Sequence, residues 1–295
     1  MKKALSLLLA LCMLFALAAC GSAPAPAPAP PAEQPAETPP EAPAAEPEPA
    51  EEVELIVFAA ASLTESMTKI KELYEAARPG VTVTCNFDSS GTLKTQIQEG
   101  ADCDLFLSAA QKQMNQLDVS CGEDKNPDKL DFVLQGSRID LLENKTVLAV
   151  PEGNPKGIES FDQLAELLKS GDVFMAIGNS DVPVGQYTLK IFEYYGIAVD
   201  DVRSCLTEGS NVKEVQTQVK ENSVDCGIIY ASDAFSAGLE VVDTASAEMC
   251  GGRVIYPAAV MKNSKNPEAA QAFLDYLTGP EAMAEFEKVL FAPAS

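Results

Sequence analysis

Two stretches of the chain, 54–107 and 173–230, alternate short apolar runs with amphipathic segments in the same order. That repeat restricts the fold more than any other feature. Leu55 to Ala60 is a continuous apolar run, as expected of a strand buried on both faces of a parallel sheet. From Ser62 to Ala77, Leu63, Met67, Ile70, Leu73 and Tyr74 share one helical face, and Pro79-Gly80 stops the helix. A second strand is expected at Val81–Phe87, an amphipathic helix at Thr92–Glu99 and a third strand at Asp104–Leu107. Downstream, a strand is expected at Val173–Ile177, a helix at Gly185–Tyr195 and a short strand at Arg203–Leu206. Gly209-Ser210-Asn211 then leads into a helix ending at Lys220, and the last strand is Gly227–Tyr230. In both halves an Asp-Cys pair, Asp102-Cys103 or Asp225-Cys226, stands before the final strand. A βαβαβ order repeated in this way predicts two like, doubly wound α/β lobes.

Ligands in such folds sit beyond the carboxyl ends of the strands. Four turns would line a cleft there: Ala61-Ser62, Ser89-Ser90-Gly91, Pro183-Val184-Gly185 and Asn211-Val212. Each would aim backbone N–H groups and the positive end of a helix into it, and the serines add hydroxyl donors. None of these turns holds Arg or Lys, so the chemistry on offer is a neutral hydrogen-bonding cage for a small oxyanion. Ser62, Ser89 and Ser90 serve equally well as helix N-caps, and Tyr230, at a strand end, equally well as packing.

Composition removes whole classes of function. The chain has no His and no Trp, which excludes a Ser-His-Asp or Cys-His relay and any His-ligated zinc or haem. Residues 53–295 hold 37 acidic against 19 basic side chains, which argues against nucleic acid and repels anions at long range. An anion would therefore have to be held by short-range directed groups. Ser66-Met67-Thr68-Lys69 fits the S-x-x-K pattern of acyl-enzymes, but Ser232-Asp233-Ala234 and Lys145-Thr146-Val147 fail the two supporting motifs. Ser66 and Lys69 are better read as the solvated face of a helix, and the chain as no enzyme. Six cysteines lie in the domain, at 85, 103, 121, 205, 226 and 250; they permit disulfides or buried thiols alike.

The amino terminus reads as an address. Lys2 and Lys3 precede an apolar run, Ala4 to Ala19, too short to cross a bilayer as a stable helix. Its end, Leu17-Ala18-Ala19-Cys20-Gly21, resembles the lipobox of bacterial lipoproteins. The resemblance implies a signal peptide at 1–19, cleavage before Cys20 and lipid on its sulfur, which would hold the mature protein on the outer face of the cell membrane. Residues 20–52 follow as a Pro/Ala/Glu-rich tether, whose prolines favour extended geometry.

Several motifs in order carry a more specific likeness. Val57-Phe58-Ala59-Ala60-Ala61-Ser62-Leu63-Thr64, Phe87-Asp88-Ser89-Ser90-Gly91-Thr92-Leu93, Asp104-Leu105-Phe106-Leu107-Ser108-Ala109, Val182-Pro183-Val184-Gly185-Gln186-Tyr187 and Gly227-Ile228-Ile229-Tyr230 resemble the periplasmic molybdate-binding proteins of ABC importers. The likeness runs from about residue 54 to the end. It implies a two-lobed periplasmic-binding-protein fold of type II, each lobe a doubly wound mixed sheet, with two crossing hinge segments near 147–150 and 256–260. Lobe 1 would be 53–147 plus 258–295, and lobe 2 would be 148–257. The family holds its dianion with serine hydroxyls, backbone amides and a tyrosine hydroxyl; carried over by motif these are Ser62, Ser90, the amides of Val184 and Val212, and Tyr230. The implied ligand is molybdate or tungstate, gripped through its oxygens, with sulfate or another small oxyanion as the alternative. The implied partner is a membrane permease, the implied state a monomer, and no cofactor is called for. Two departures stand out: Gly91 occupies the last place of a typical run of three serines, and Asp88 precedes it. A carboxylate facing the cleft would oppose an anion, so Asp88 is expected to point away.

Overall fold

Continuous apolar runs with helices on either side are buried on both faces, and here they form the centres of two mixed sheets. The computed structural model describes residues 52–294, all within one compact unit, Pro49–Ser295. The expected signal peptide, Cys20 and the tether as far as residue 51 lie outside the described residues.

In the first sheet β1 (Val53–Ala60) runs parallel to β2 (Val81–Asp88) on one side and to β3 (Leu105–Leu107) on the other. A 3-10 turn at Ala61–Leu63 and α1 (Thr64–Ala77) connect β1 to β2, and α2 (Ser90–Gln98) connects β2 to β3. The short α3 (Gln111–Asn115) precedes β4 (Ile139–Asn144), after which the chain leaves this sheet. The second sheet opens with β5 (Thr146–Val150) and continues through α4 (Phe161–Ser170), β6 (Met175–Gly178), α5 (Pro183–Tyr194) and α6 (Val199–Val202). It is completed by β7 (Leu206–Gly209), α7 (Val212–Lys220), β8 (Cys226–Tyr230), α8 (Ala231–Ala237) and β9 (Glu240–Thr244). The chain then returns to the first sheet as β10 (Val254–Val260), α9 (Pro267–Leu277), α10 (Pro280–Lys288) and the two-residue β11 (Ala292–Pro293).

Strand order is β11-β4-β10-β3-β1-β2 in one lobe and β7-β6-β8-β5-β9 in the other. Both sheets are mixed: β10 is antiparallel to β3 and β4, and β5 is antiparallel to β8 and β9. Tyr74 of α1 meets Phe273 and Tyr276 of α9 with ring centroids 4.6 and 5.0 Å apart, so the C-terminal helices pack on the first lobe. The two crossings are Lys145 and the segment 245–253. They lie slightly ahead of the expected 147–150 and 256–260, which are strand residues of β5 and β10, because the buried apolar character of those residues places them in sheets rather than in connections.

The expected strand at Arg203–Leu206 is a correction. Residues 199–205 are helical, with Asp200 and Asp201 in the first turn of α6 and Arg203 bonded back to Asp200 at 2.8 Å. Acidic groups at a helix start and an i,i+3 pair favour the helix, and the strand begins only at Leu206, opposite Met175. All six domain cysteines are free thiols. Burial pushes the Cys85 thiol up to about 11 and those of Cys103 and Cys226 higher still. These thiols behave as small apolar groups.

Candidate functional site

The first residues after a strand decide what faces the cleft. At the end of β2, Ser89 caps α2: its Oγ accepts the Thr92 N–H at 3.1 Å and meets Thr92 Oγ1 at 2.9 Å. At the end of β7, Asn211 caps α7 by accepting the Glu214 N–H at 3.1 Å. With those caps in place, the next residues, Ser90 and Val212, are free of capping duty. Val182 is the N-cap of α5 and supplies no side-chain bond; Pro183 follows at the first helical position. The first-turn amides of a helix have no intrahelical acceptor, so Val184 and Val212 each present an N–H to whatever lies ahead of them. Close packing aims α5: a side chain on Gly185 would come within 2.2 Å of the Gly178 carbonyl, so only glycine lets the helix start sit this near β6.

Ser62, Ser90, Val184, Val212 and Tyr230 line one small cavity between the lobes, together with Ala60, Ala61, Ser89, Ala109, Val182 and Pro183. All eleven lining residues are buried, and none carries a charge. The structure thus brings the five expected residues together. It also separates the roles of the serines: Ser89 is a cap, whereas Ser62 and Ser90 are not.

The hydroxyls are arranged to donate. Ser90 Oγ accepts the Ala109 N–H at 2.9 Å, which leaves its own proton free. Ser62 Oγ meets the Tyr256 hydroxyl at 2.9 Å. That phenol also accepts from Asn144 Nδ2 at 3.3 Å, and the same Nδ2 donates to Ser232 Oγ at 2.9 Å. Because Asn144 donates to Tyr256, the phenol proton can pass to Ser62 Oγ and the Ser62 proton can point onward. The Tyr230 hydroxyl is buried and has no hydrogen-bond partner among the described residues. Its ring stands edge-on to Tyr256 and Tyr187, with centroids 5.7 and 6.4 Å away, which fixes the direction of its C–O bond. Burial, reinforced by the neighbouring Tyr256 and Tyr187 phenols, holds Tyr230 protonated well above the usual tyrosine range. It is a donor at any working pH.

Asp88 does not line the cavity. Its Oδ1 accepts the Ser89 N–H at 2.7 Å and Asn211 Nδ2 at 3.4 Å, the latter from the other lobe. Just outside, Lys213 of α7 reaches Glu65 of α1 at 2.7 Å and the buried Asp233 of α8 at 2.9 Å. The nearby cation is thus matched by two carboxylates. Burial raises Asp233 to about 6 despite the opposing pull of Lys213.

Sequence reasoning missed Tyr256, Asn144 and Lys213. No local signal could have found the first two, since Tyr256 is 194 residues from the serine it orients. Ser66 is also a correction: it is buried rather than solvated, and its hydroxyl donates to the Leu63 carbonyl at 3.1 Å, as helix-internal serines do. Lys69 is exposed and paired with Glu72 at 2.8 Å.

Comparison with known proteins accounts for this architecture. The sequence pattern of the bacterial extracellular solute-binding proteins matches residues 55–289. The molybdate-binding protein of Escherichia coli is 35% identical over 247 residues, covering 82% of this chain and 90% of that one. A Bacillus subtilis protein named as an ABC transporter substrate-binding lipoprotein is 32% identical over 243 residues, covering 82% and 87%. The solved substrate-binding domain assigned to a molybdenum ABC transporter of Clostridium difficile superposes with a TM-score of 0.60 at 31% identity, covering 82% of this chain and all of that one. With this pattern spanning most of the chain, relatives named as molybdate-binding and ABC transport proteins, and two mixed-sheet lobes, the chain belongs to the bacterial extracellular solute-binding proteins of ABC importers, within their molybdate-binding family.

Proposed function

We propose that this protein captures molybdate or tungstate outside the cell as a monomer and delivers it to a membrane permease, anchored to the membrane through lipid on Cys20. The observation that carries the reading is the chemistry of the cavity. Two serine hydroxyls, two first-turn amides and one unpartnered phenol surround a buried space without any charged side chain. A buried dianion needs its oxygens hydrogen-bonded, and bonds to a charged group contribute roughly 1.5–3 kcal/mol each. Five such donors are enough, after closure and desolvation are met, to leave binding in the submicromolar range, on the order of −8 kcal/mol or better. Lys145 and 245–253 serve as the hinge on which the lobes close.

The lipid anchor is supported by the Leu17-Ala18-Ala19-Cys20 ending and by a relative named as a lipoprotein. Replacing Cys20 by Ala should release the protein from the membrane fraction.

Calorimetric titration tests the ligand. Molybdate and tungstate are expected to bind tightly and sulfate not to bind, because a cage sized for the larger ion fits sulfate loosely. Equal affinity for sulfate would replace this reading with that of a general oxyanion receptor.

A further inference from the structure

The two lobes come close together where a side chain is missing. Gly91, the second residue of α2 in lobe 1, is buried, and its φ lies outside the left-handed range, so its backbone makes no demand for glycine. The demand comes from the opposite lobe. A Cβ built on Gly91 would stand 2.2 Å from the Asp181 carbonyl oxygen, 3.0 Å from its carbon and 3.0 Å from the Asp181 Cβ. The obstacle is backbone, and the backbone there is stiff. Asn179 holds the turn from both ends, its Oδ1 accepting the Asp181 N–H at 2.9 Å and its carbonyl accepting the Val182 N–H at 3.0 Å. Val182 is further restricted by preceding Pro183. From lobe 1, Gln113 Nε2 reaches the same Asp181 carbonyl at 3.5 Å.

We infer that Gly91 sets how far the lobes close. Its bare Cα lets the 179–182 turn seat on the first turn of α2, and that seating brings Val184, Val212 and Tyr230 within reach of an anion held from the other side by Ser62 and Ser90. Any side chain at 91 props the cleft ajar and leaves the lobe 2 donors short of the anion, while the lobe 1 donors remain in place. Gly91 is in this sense a positioning residue; the inference rests on the cavity being the oxyanion site.

The test is Gly91→Ala, followed by Gly91→Ser, titrated with molybdate and followed by stopped flow and by small-angle scattering. Loss of two or more bonds to a charged ligand predicts affinity weaker by at least roughly a hundredfold. The deficit should lie in faster release, with the capture rate little changed, and the ligand-induced compaction of the wild type should be reduced or absent. Because Ala suits a helix better than Gly, the ligand-free melting temperature should stay level or rise. Affinity within threefold of wild type, or a loss of affinity matched by a fall in ligand-free melting temperature, overturns the inference. Wild-type protein indifferent to molybdate, tungstate and sulfate alike would retire the oxyanion reading instead. Gly91 would then be judged from crystals of ligand-free wild type and Gly91→Ala: an Asp181 carbonyl equally close to residue 91 in both refutes it, and one displaced only in the variant upholds it.

Discussion

Removing the hydroxyl of Tyr230 should stabilise the empty protein and weaken the loaded one. In the structure this oxygen is buried without a partner, while the ring that carries it is clamped edge-on by Tyr187 and Tyr256. Tyr230→Phe keeps the ring and its packing and deletes only the orphaned group. A buried polar group without a bond costs about 1–3 kcal/mol, so the ligand-free variant should gain on the order of 1 kcal/mol. For a domain of this size that is a rise of roughly 2–4 °C in melting temperature. The same hydroxyl, donating to an anion, would contribute about 1.5–3 kcal/mol, so molybdate affinity should fall roughly 10- to 150-fold. Circular-dichroism melting of the ligand-free protein and calorimetric titration measure the two effects separately. Tyr256→Phe supplies the contrast, because its hydroxyl is bonded to Ser62 and Asn144, so both stability and affinity should fall. If Tyr230→Phe lowers the ligand-free melting temperature, or leaves affinity untouched, the hydroxyl is not held in reserve for a ligand.

Ser90→Ala removes both a free hydroxyl proton and the acceptor of the Ala109 amide, so affinity should drop at least about tenfold with a smaller loss of stability, read by titration and melting. Glu65→Gln breaks the partly exposed interlobe pair with Lys213; such pairs contribute about 0–1 kcal/mol, so affinity should fall only a few-fold and lose part of its salt dependence. Asp233 gives a pH signature. Its folded value, about 6, lies above its ordinary 3.8, so the folded state binds the proton more tightly than the unfolded chain does. The stability it contributes is full below about pH 4 and is lost as pH rises through 6. Urea unfolding should therefore show Asp233→Asn gaining on the wild type between pH 4 and pH 7; a constant difference would mean that the group does not titrate there.

How much of this was legible follows the range of the interactions. The strand runs, the helix stops and the four cleft turns are written in neighbouring residues, and the five expected site residues do meet in one cavity. The division of labour between Ser89 and Ser90 was not legible: both are good caps by type, and only the phase of α2 makes one the cap and the other a cavity donor. Arg203–Leu206 misled because its apolar content suits either state, and the deciding groups, Asp200 and the pairing partner Met175, lie outside it. Gly91 could be seen as a departure from a serine run, but its reason lies in a backbone carbonyl 90 residues further along the chain.

The cavity also bears on how an acidic protein could take up a dianion selectively. A free cation at the site would attract any small anion, but Lys213, the cation beside α7's first turn, is matched by Glu65 and Asp233. In the proposed binding mode, selection would be left to the hydroxyls and amides. A lone pair of Ser90 Oγ is already taken by the Ala109 amide, and Ser62 Oγ is tied to the Tyr256–Asn144 chain. Each serine can turn its proton inward, and amides have nothing but a proton to offer. An oxyanion that keeps a proton of its own, as hydrogen phosphate does, would set donor against donor inside the buried site. A fully deprotonated dianion would find every inward group complementary. The preference would thus be set by groups one layer behind the cavity wall, which never touch the ligand, and Tyr256→Phe should relax discrimination against protonated oxyanions more than it weakens binding of molybdate.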